Sequence, residues 1–165
     1  MKGVPLGESI DVAGVFKRHV KSVYRLCYSY LGSAADAEDA TQSVFVKLVR
    51  TPREFESEQH ERAWLLACAA NYCKDQLKSP RRTRAAEMPA DVIDENAQVE
   101  QSPVLQAVLS LPVRYKDVVY LHYYEGYKTD EIARMINKPP STVRNDLRDA
   151  RQLLKTQLEG ENHVR

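Results

Sequence analysis

The stretch TDEIARMINKPPSTVRNDLRDARQLLKTQL, residues 129–158, decides the fold. It holds two helical patterns split by Asn137-Lys138-Pro139-Pro140. Thr129-Asp130-Glu131 places hydroxyl and acid groups at a helix start, where the backbone N–H groups and the dipole favour them. Ile132, Ala133 and Ile136 give that helix one apolar side. The prolines cannot continue it, and a second helix is predicted from about Ser141 to Leu158. At about 100° per residue, Val143, Leu147, Ala150, Leu154 and Leu158 fall within about 80° of one another and form a buried seam. Arg144, Arg148, Arg151 and Lys155 fall within about 60° beside it, a row of cations roughly 17 Å long. Asp146 and Asp149 point away from that row.

Two helices joined by a short break are the helix-turn-helix plan, whose second helix puts its N-terminal residues on base edges in the major groove. Ser141, Thr142, Arg144, Asn145 and Arg148 occupy that end. Arg grips guanine, and Asn grips adenine, with two hydrogen bonds each. Arg151 and Lys155 extend the cations along a phosphate backbone. The same residues also fit an amphipathic helix with a solvated basic flank. Upstream, Ser102 and Pro103 open a helix over about 102–110, and Leu111-Pro112 breaks it. A further helix over about 113–125 ends at Gly126. Its tyrosines at 115, 120 and 123–124, with Tyr127, read as helix core with wet hydroxyls rather than as a binding patch.

Residues 85–100 carry five acids, no Lys or Arg, and Pro89. They read as a linker between two domains, 1–84 and 101–165. In the first domain a helix runs from about Asp11 to Leu31, with Val12, Val15, Phe16, Val20, Val23, Tyr24, Cys27 and Tyr30 on one stripe. Gly32 ends it and Ser33 caps the next, which is rich in early acid and stops at Thr51-Pro52. The polar run 53–62 precedes a third helix over about 63–78, stopped by Ser79-Pro80. On that helix Asn71, Lys74 and Lys78 form a narrow stripe beside Trp64, and Arg81, Arg82 and Arg84 follow. Cations that track a backbone, with aromatic and amide groups for unstacked bases, are how single-stranded nucleic acid is held. A core Trp and a solvated basic run fit those residues as well.

The formal net charge of +1 hides two basic blocks around the acidic stretch. No apolar run reaches signal-peptide or membrane length, so a cytoplasmic protein without membrane insertion is expected. Three cysteines argue against a disulfide framework. Cys68 and Cys73 read as core packing, because no histidine shows ligand spacing with them. No phosphate-cradling Gly loop and no catalytic triad context is present. No enzyme activity, no cofactor and no metal is expected.

Three motifs carry a resemblance. Residues 36–48 (DAEDATQSVFVKL) resemble the core-binding motif of the sigma-70 family of RNA polymerase sigma factors. Ala63-Trp64-Leu65-Leu66, followed by Asn71-Tyr72-Cys73-Lys74-Asp75, resembles its promoter-melting helix. Leu111-Pro112, then 127–133 and Ser141-Thr142-Val143-Arg144, resembles its terminal helix-turn-helix. With two domains and a short linker the chain is similar to the extracytoplasmic-function (ECF) group. The resemblance implies an all-α protein in which sigma region 2 and sigma region 4 are joined by the linker. It implies docking on a coiled coil of the largest polymerase subunit through Asp36, Glu38, Asp39, Gln42, Phe45 and Lys47, with Phe45 entering an apolar notch. It implies contact with the flap of the second-largest subunit, an anti-sigma partner, and promoter recognition that initiates transcription. The −10 element would be read by the loop Phe55 to Glu61 and by Trp64, Asn71, Lys74, Lys78, Arg81 and Arg82. The −35 element would be read through Ser141, Thr142, Arg144, Asn145, Arg148, Arg151 and Lys155. Asp146 and Asp149, Ala40 and the stiff Pro139-Pro140 depart from the usual pattern.

Overall fold

The computed structural model of the chain describes residues 11–79 and 103–163. Arg81, Arg82, Arg84, Ser102 and the segment 85–100 lie outside the described residues. The fold is all-α, with no strand among the described residues.

Helix α1 (Val12–Leu31) starts where the Asp11 carboxylate accepts from the Gly14 N–H. It ends at Gly32, whose φ of 68° is a left-handed cap that glycine adopts without a Cβ penalty. Helix α2 (Ala34–Arg50) is capped by the Ser33 hydroxyl, which accepts from the Asp36 N–H. Helix α3 (Glu58–Lys78) begins five residues before the position expected from its apolar pattern. The reason is local: Ser57 accepts from the His60 N–H at 3.1 Å, and Glu58 and Glu61 sit in the first turn. A capped, acid-rich turn is helical without needing apolar residues.

The second half contains α4 (Pro103–Leu109), α5 (Val113–Val119) continuing as a π turn over Tyr120–Tyr124, α6 (Thr129–Ile136) and α7 (Pro140–His163). The expected helix over 113–125 is thus α-helical and then π-helical, closed by Gly126 at φ 77°. At the start of α6, the Glu131 carboxylate accepts from the Lys128 N–H at 3.0 Å. Asn137, at φ 55°, makes the tight break. Val143, Leu147 and Ala150 of α7 are fully buried and Leu154 half-buried, so α7 rests on α5 and α6 through the expected seam.

The halves do not stand apart. One apolar core runs through both. Helix α1 lies at its centre, with α2 and α3 on one side and α4 and α5 on the other, and every residue from Leu26 to Leu31 is buried. Lys116, 5% exposed, drives its ammonium into the junction and donates to the carbonyls of Ser29 and Leu109 at 2.9 and 3.0 Å. Those carbonyls belong to the last turns of α1 and α4, which lack helical partners and carry the negative end of the dipole. Next to it the fully buried Asp117 accepts from the Lys74 ammonium at 2.5 Å. The Tyr120 hydroxyl lies 2.9 Å from the Ser22 carbonyl. Arg62 of α3 donates to the Tyr127 hydroxyl at 3.3 Å and lies 3.8 Å from the Glu125 carboxylate. The tyrosine cluster is therefore core in part: Tyr120 and Tyr127 are buried in the junction, while Tyr123 is half-exposed.

A shared core predicts shared unfolding. Leu26→Ala, at a fully buried site, is expected to cost about 3 kcal/mol in a denaturant titration. Far-UV circular dichroism, which reports both halves, and Trp64 fluorescence, which reports the first, are expected to move in one coincident transition.

Candidate nucleic-acid and polymerase interfaces

Helix α7 turns Ser141, Arg144, Asn145, Arg148, Arg151 and Lys155 outward, with Thr142 half-buried at its start. What holds this face is on its other side. Asp146, 1% exposed, lies 2.9 Å from the Arg114 guanidinium and 3.6 Å from the Lys138 ammonium. It ties α7 to the start of α5 and to the break before α7. Its carboxylate holds the Arg114 guanidinium even more firmly in its charged form. Asp146 thus belongs to the support of the helix-turn-helix and does not reach a groove. Asp149 is 3.8 Å from Arg148, with both side chains well exposed. Such a pair is screened by water and salt and leaves Arg148 able to meet a phosphate.

The face on α3 is divided. Asn71 and Lys78 are exposed, but Lys74, which lies between them, is held by Asp117. Trp64 is half-buried; its ring sits 5.8 Å from that of Phe55 and 5.2 Å from the Arg53 guanidinium. Arg53 was not singled out from the sequence, where nothing marks it off from the polar run around it. Glu61, expected at the end of a base-reading loop, is instead turned inward and 8% exposed. It lies 2.7 Å from the His19 imidazole and accepts from Arg18 at 3.0 Å, which fastens the first turn of α3 to α1. Arg81 and Arg82 lie outside the described residues.

On α2, Asp39, Gln42 and Lys47 are exposed, whereas Asp36 and Glu38 are half-buried. Phe45 corrects an expectation. It is 5% exposed, with its ring 4.9 Å from that of Phe16, so it builds the core and does not offer itself to a notch. The apolar groups that α2 does present are Val46 and Val49, 45% and 56% exposed. Val46, with Asp39, Gln42, Lys47, Arg50 and Tyr72, lines an open groove between α2 and α3.

Burial shifts two buried tyrosines and one thiol. It pushes the Tyr120 hydroxyl well up, with the Glu125 carboxylate adding to the effect, and does the same to Tyr30 with help from Asp117. Both stay protonated. Burial also pushes the Cys68 thiol up, which keeps it a thiol. Cys27, Cys68 and Cys73 are free, Cys68 being half-buried and the other two buried. Among the described residues, no group of three or more His, Cys, Asp and Glu side chains gathers to hold a metal. No described helix is long and apolar enough to cross a membrane.

Residues 15–83 match Sigma-70 region 2, and residues 101–154 match Sigma-70, region 4. The chain is 26% identical to the ECF RNA polymerase sigma factor SigW of Bacillus subtilis, over 96% of this chain and 94% of that protein. It is 31% identical to the ECF RNA polymerase sigma factor SigE of Mycolicibacterium smegmatis, over 86% of this chain and 59% of that protein. Among solved structures, the sigma factor RpoE in complex with the anti-sigma factor NepR from Bartonella quintana shares the fold at a TM-score of 0.69. That likeness comes at 17% identity and covers 90% of this chain and 97% of that one. With both sigma regions matched in order and the two-region layout kept from end to end, the chain belongs to the sigma-70 family of RNA polymerase sigma factors, in its ECF group.

Proposed function

We propose that this chain is an alternative sigma factor that binds core RNA polymerase, directs it to particular promoters and starts DNA-templated transcription there. The observation that carries the reading is the outward row Arg144, Arg148, Arg151 and Lys155 on a helix anchored from behind by buried Leu147 and Asp146. Residues 15–83 match sigma region 2, which a free-standing DNA-binding regulator would not need. In this reading α7 enters the major groove of the −35 element, with Arg144, Asn145 and Arg148 on base edges and Arg151 and Lys155 on phosphates. The α3 face, with Trp64, Asn71, Lys74, Lys78 and the following Arg81 and Arg82, meets the melted −10 strand. Opening the duplex and flipping a base cost a few kcal/mol, which stacking and phosphate contacts offset.

Docking on the coiled coil of the largest polymerase subunit falls to the outer side of α2. There Asp39, Gln42 and Lys47 supply charge and hydrogen bonds, and Val46 and Val49 supply apolar surface. Asp36 and Glu38 flank that surface, and Phe45 stiffens it from beneath. Region 4 also meets the flap of the second-largest subunit. All bond-making chemistry belongs to the polymerase, so the chain works in the cytoplasm beside it and needs no cofactor. A sigma factor free to bind at all times would compete for core constantly. An anti-sigma partner follows from that, and the structural neighbour bound to an anti-sigma factor supports it.

Run-off transcription with core polymerase on genomic fragments tests the reading, and absence of any promoter-directed transcript would overturn it. Arg144→Ala is expected to lower −35-dependent initiation about tenfold, in line with the loss of one two-pronged base contact, while core association holds. Arg151→Ala is expected to leave base preference unchanged and to reduce the slope of log affinity against log salt by about 1 in a duplex-binding titration. Val49→Asp is expected to weaken core association in a pull-down while the circular dichroism spectrum is retained. Phe45→Ala is expected instead to lower stability by about 3 kcal/mol, because it removes a packed aromatic.

A further inference from the structure

The cations of α7 lie on one flank. By helical spacing Asn145 points outward between the flanks, with Arg144 about 100° to one side of it and Asp146 about 100° to the other. Arg148, Arg151 and Lys155 share the side of Arg144. The charged groups that the first half of α7 places on the opposite side are two acids, Asp146 and Asp149. A helix about 10 to 12 Å across fills a major groove roughly 12 Å wide, so its two flanks face the two phosphate strands. In the promoter reading the cation row meets one strand, and α7 has no cation of its own for the other.

Helix α5 supplies one. The Arg114 guanidinium donates through Nη2 to Asp146 Oδ1 at 2.9 Å and lies 5.1 Å from the centroid of the Tyr115 ring. Asp146 is buried, yet the Arg114 side chain is 62% exposed. The group is therefore held by two neighbours and still open to water. The second oxygen of Asp146 accepts no hydrogen bond and lies 3.6 Å from the Lys138 ammonium, so one acid gathers two cations and the cluster is net positive. A guanidinium that spends one nitrogen on a carboxylate keeps the rest of its fork for a second anion. We propose that Arg114 binds a phosphate of the duplex strand that the α7 cations do not face, and that Asp146 is the positioning residue that presents it. This deepens the promoter reading and rests on it for where along the promoter the contact falls. An arginine already held in place gives up little freedom on binding. Phosphate contacts carry no base identity but fix register. Cations on both strands stop α7 from rocking across the groove, so Arg114 sharpens what Asn145 and Arg148 read without touching a base.

The test uses the full chain and then its complex with core polymerase. On a short mixed-sequence duplex, Arg114→Gln is expected to weaken binding about threefold to tenfold and to reduce the slope of log affinity against log salt by about 1. Arg114→Lys, which keeps the charge, is expected to keep the slope. A folded R114Q with the wild-type slope would overturn the contact and leave Arg114 a purely structural partner of Asp146. Asp146→Asn is expected to weaken binding in the wild type and to change nothing further once Arg114 is Gln. The same change in both backgrounds would take the positioning role from Asp146. The strand is mapped with core polymerase bound, on a promoter found by run-off transcription, with single neutral methylphosphonates placed along either strand. The phosphate to which R114Q becomes indifferent is expected on the strand opposite the one found with Arg151→Ala; the same strand for both would refute the placement. Should R114Q fail to fold, the wild-type map decides. Sensitive phosphates on both strands across from α7 support the contact, and sensitivity on one strand alone refutes it. The salt titration needs no polymerase. A lowered R114Q slope with failed run-off transcription would thus remove the promoter reading alone, and run-off transcription with an unchanged slope would remove this inference alone.

Discussion

The arrangement of the two halves depends on one buried ammonium. Moving a lysine headgroup out of water costs several kcal/mol unless every proton finds an acceptor. Lys116 finds them where helices are poorest in partners, at the carbonyl ends of α1 and α4. The same contact therefore satisfies two helix ends and one cation. It also fixes geometry, because the final turns of α1 and α4 must converge on a single point. Once α5 is held there, Asp117 and Tyr120 can only face α3 and α1, and α6 and α7 follow through the core they share with α5.

What could be read from the sequence was what is decided within about ten residues. The helix-turn-helix of α6 and α7 rests on a period, two prolines and a left-handed Asn137, all local, and its seam of Val143, Leu147 and Ala150 is the buried one. The caps at Ser33 and Gly32 are equally local. Helix α3 starts before its apolar pattern does, because the cap at Ser57 and the acids behind it set the first turn. The misses in the sites have another cause. Phe45 looks the same in sequence whether it points at Phe16 or at a partner. Lys116 and Asp117 look like solvated charges until α1 and α3 are laid beside them. Tyr28 and Ser29 fall off the apolar stripe of α1, yet they are buried because a second set of helices covers that side. Partners about 30 to 90 positions away leave no trace in a local period.

Asp146 shows how far face arithmetic can be taken. It sits three residues after Val143 and one before Leu147, so by spacing it flanks the buried seam on the side away from the cations. A carboxylate there needs positive partners. Arg114, in the first turn of α5, and Lys138, in the break before α7, supply them. The angle of α7 against its neighbours is thus set by a charge cluster as well as by packing. In the proposed reading the angle of that helix governs which base edges Arg144 and Asn145 reach, so a buried acid would shape what the outward face reads.

The charges of α7 and α3 differ in one respect that has functional weight. Those of α7 face water, and those of α3 are partly engaged. A duplex can therefore meet α7 without any rearrangement, whereas an anion that meets Lys74 or Arg62 of α3 must compete with the carboxylates that hold them. A ligand shifts such an equilibrium only by the difference between its affinities for the two forms. Contact with α7 alone, available in both, shifts nothing. In the proposed reading a melted strand, which draws on Lys74 and Arg62, favours the form in which they are free, and a partner that grips both halves at once favours the form in which they are paired.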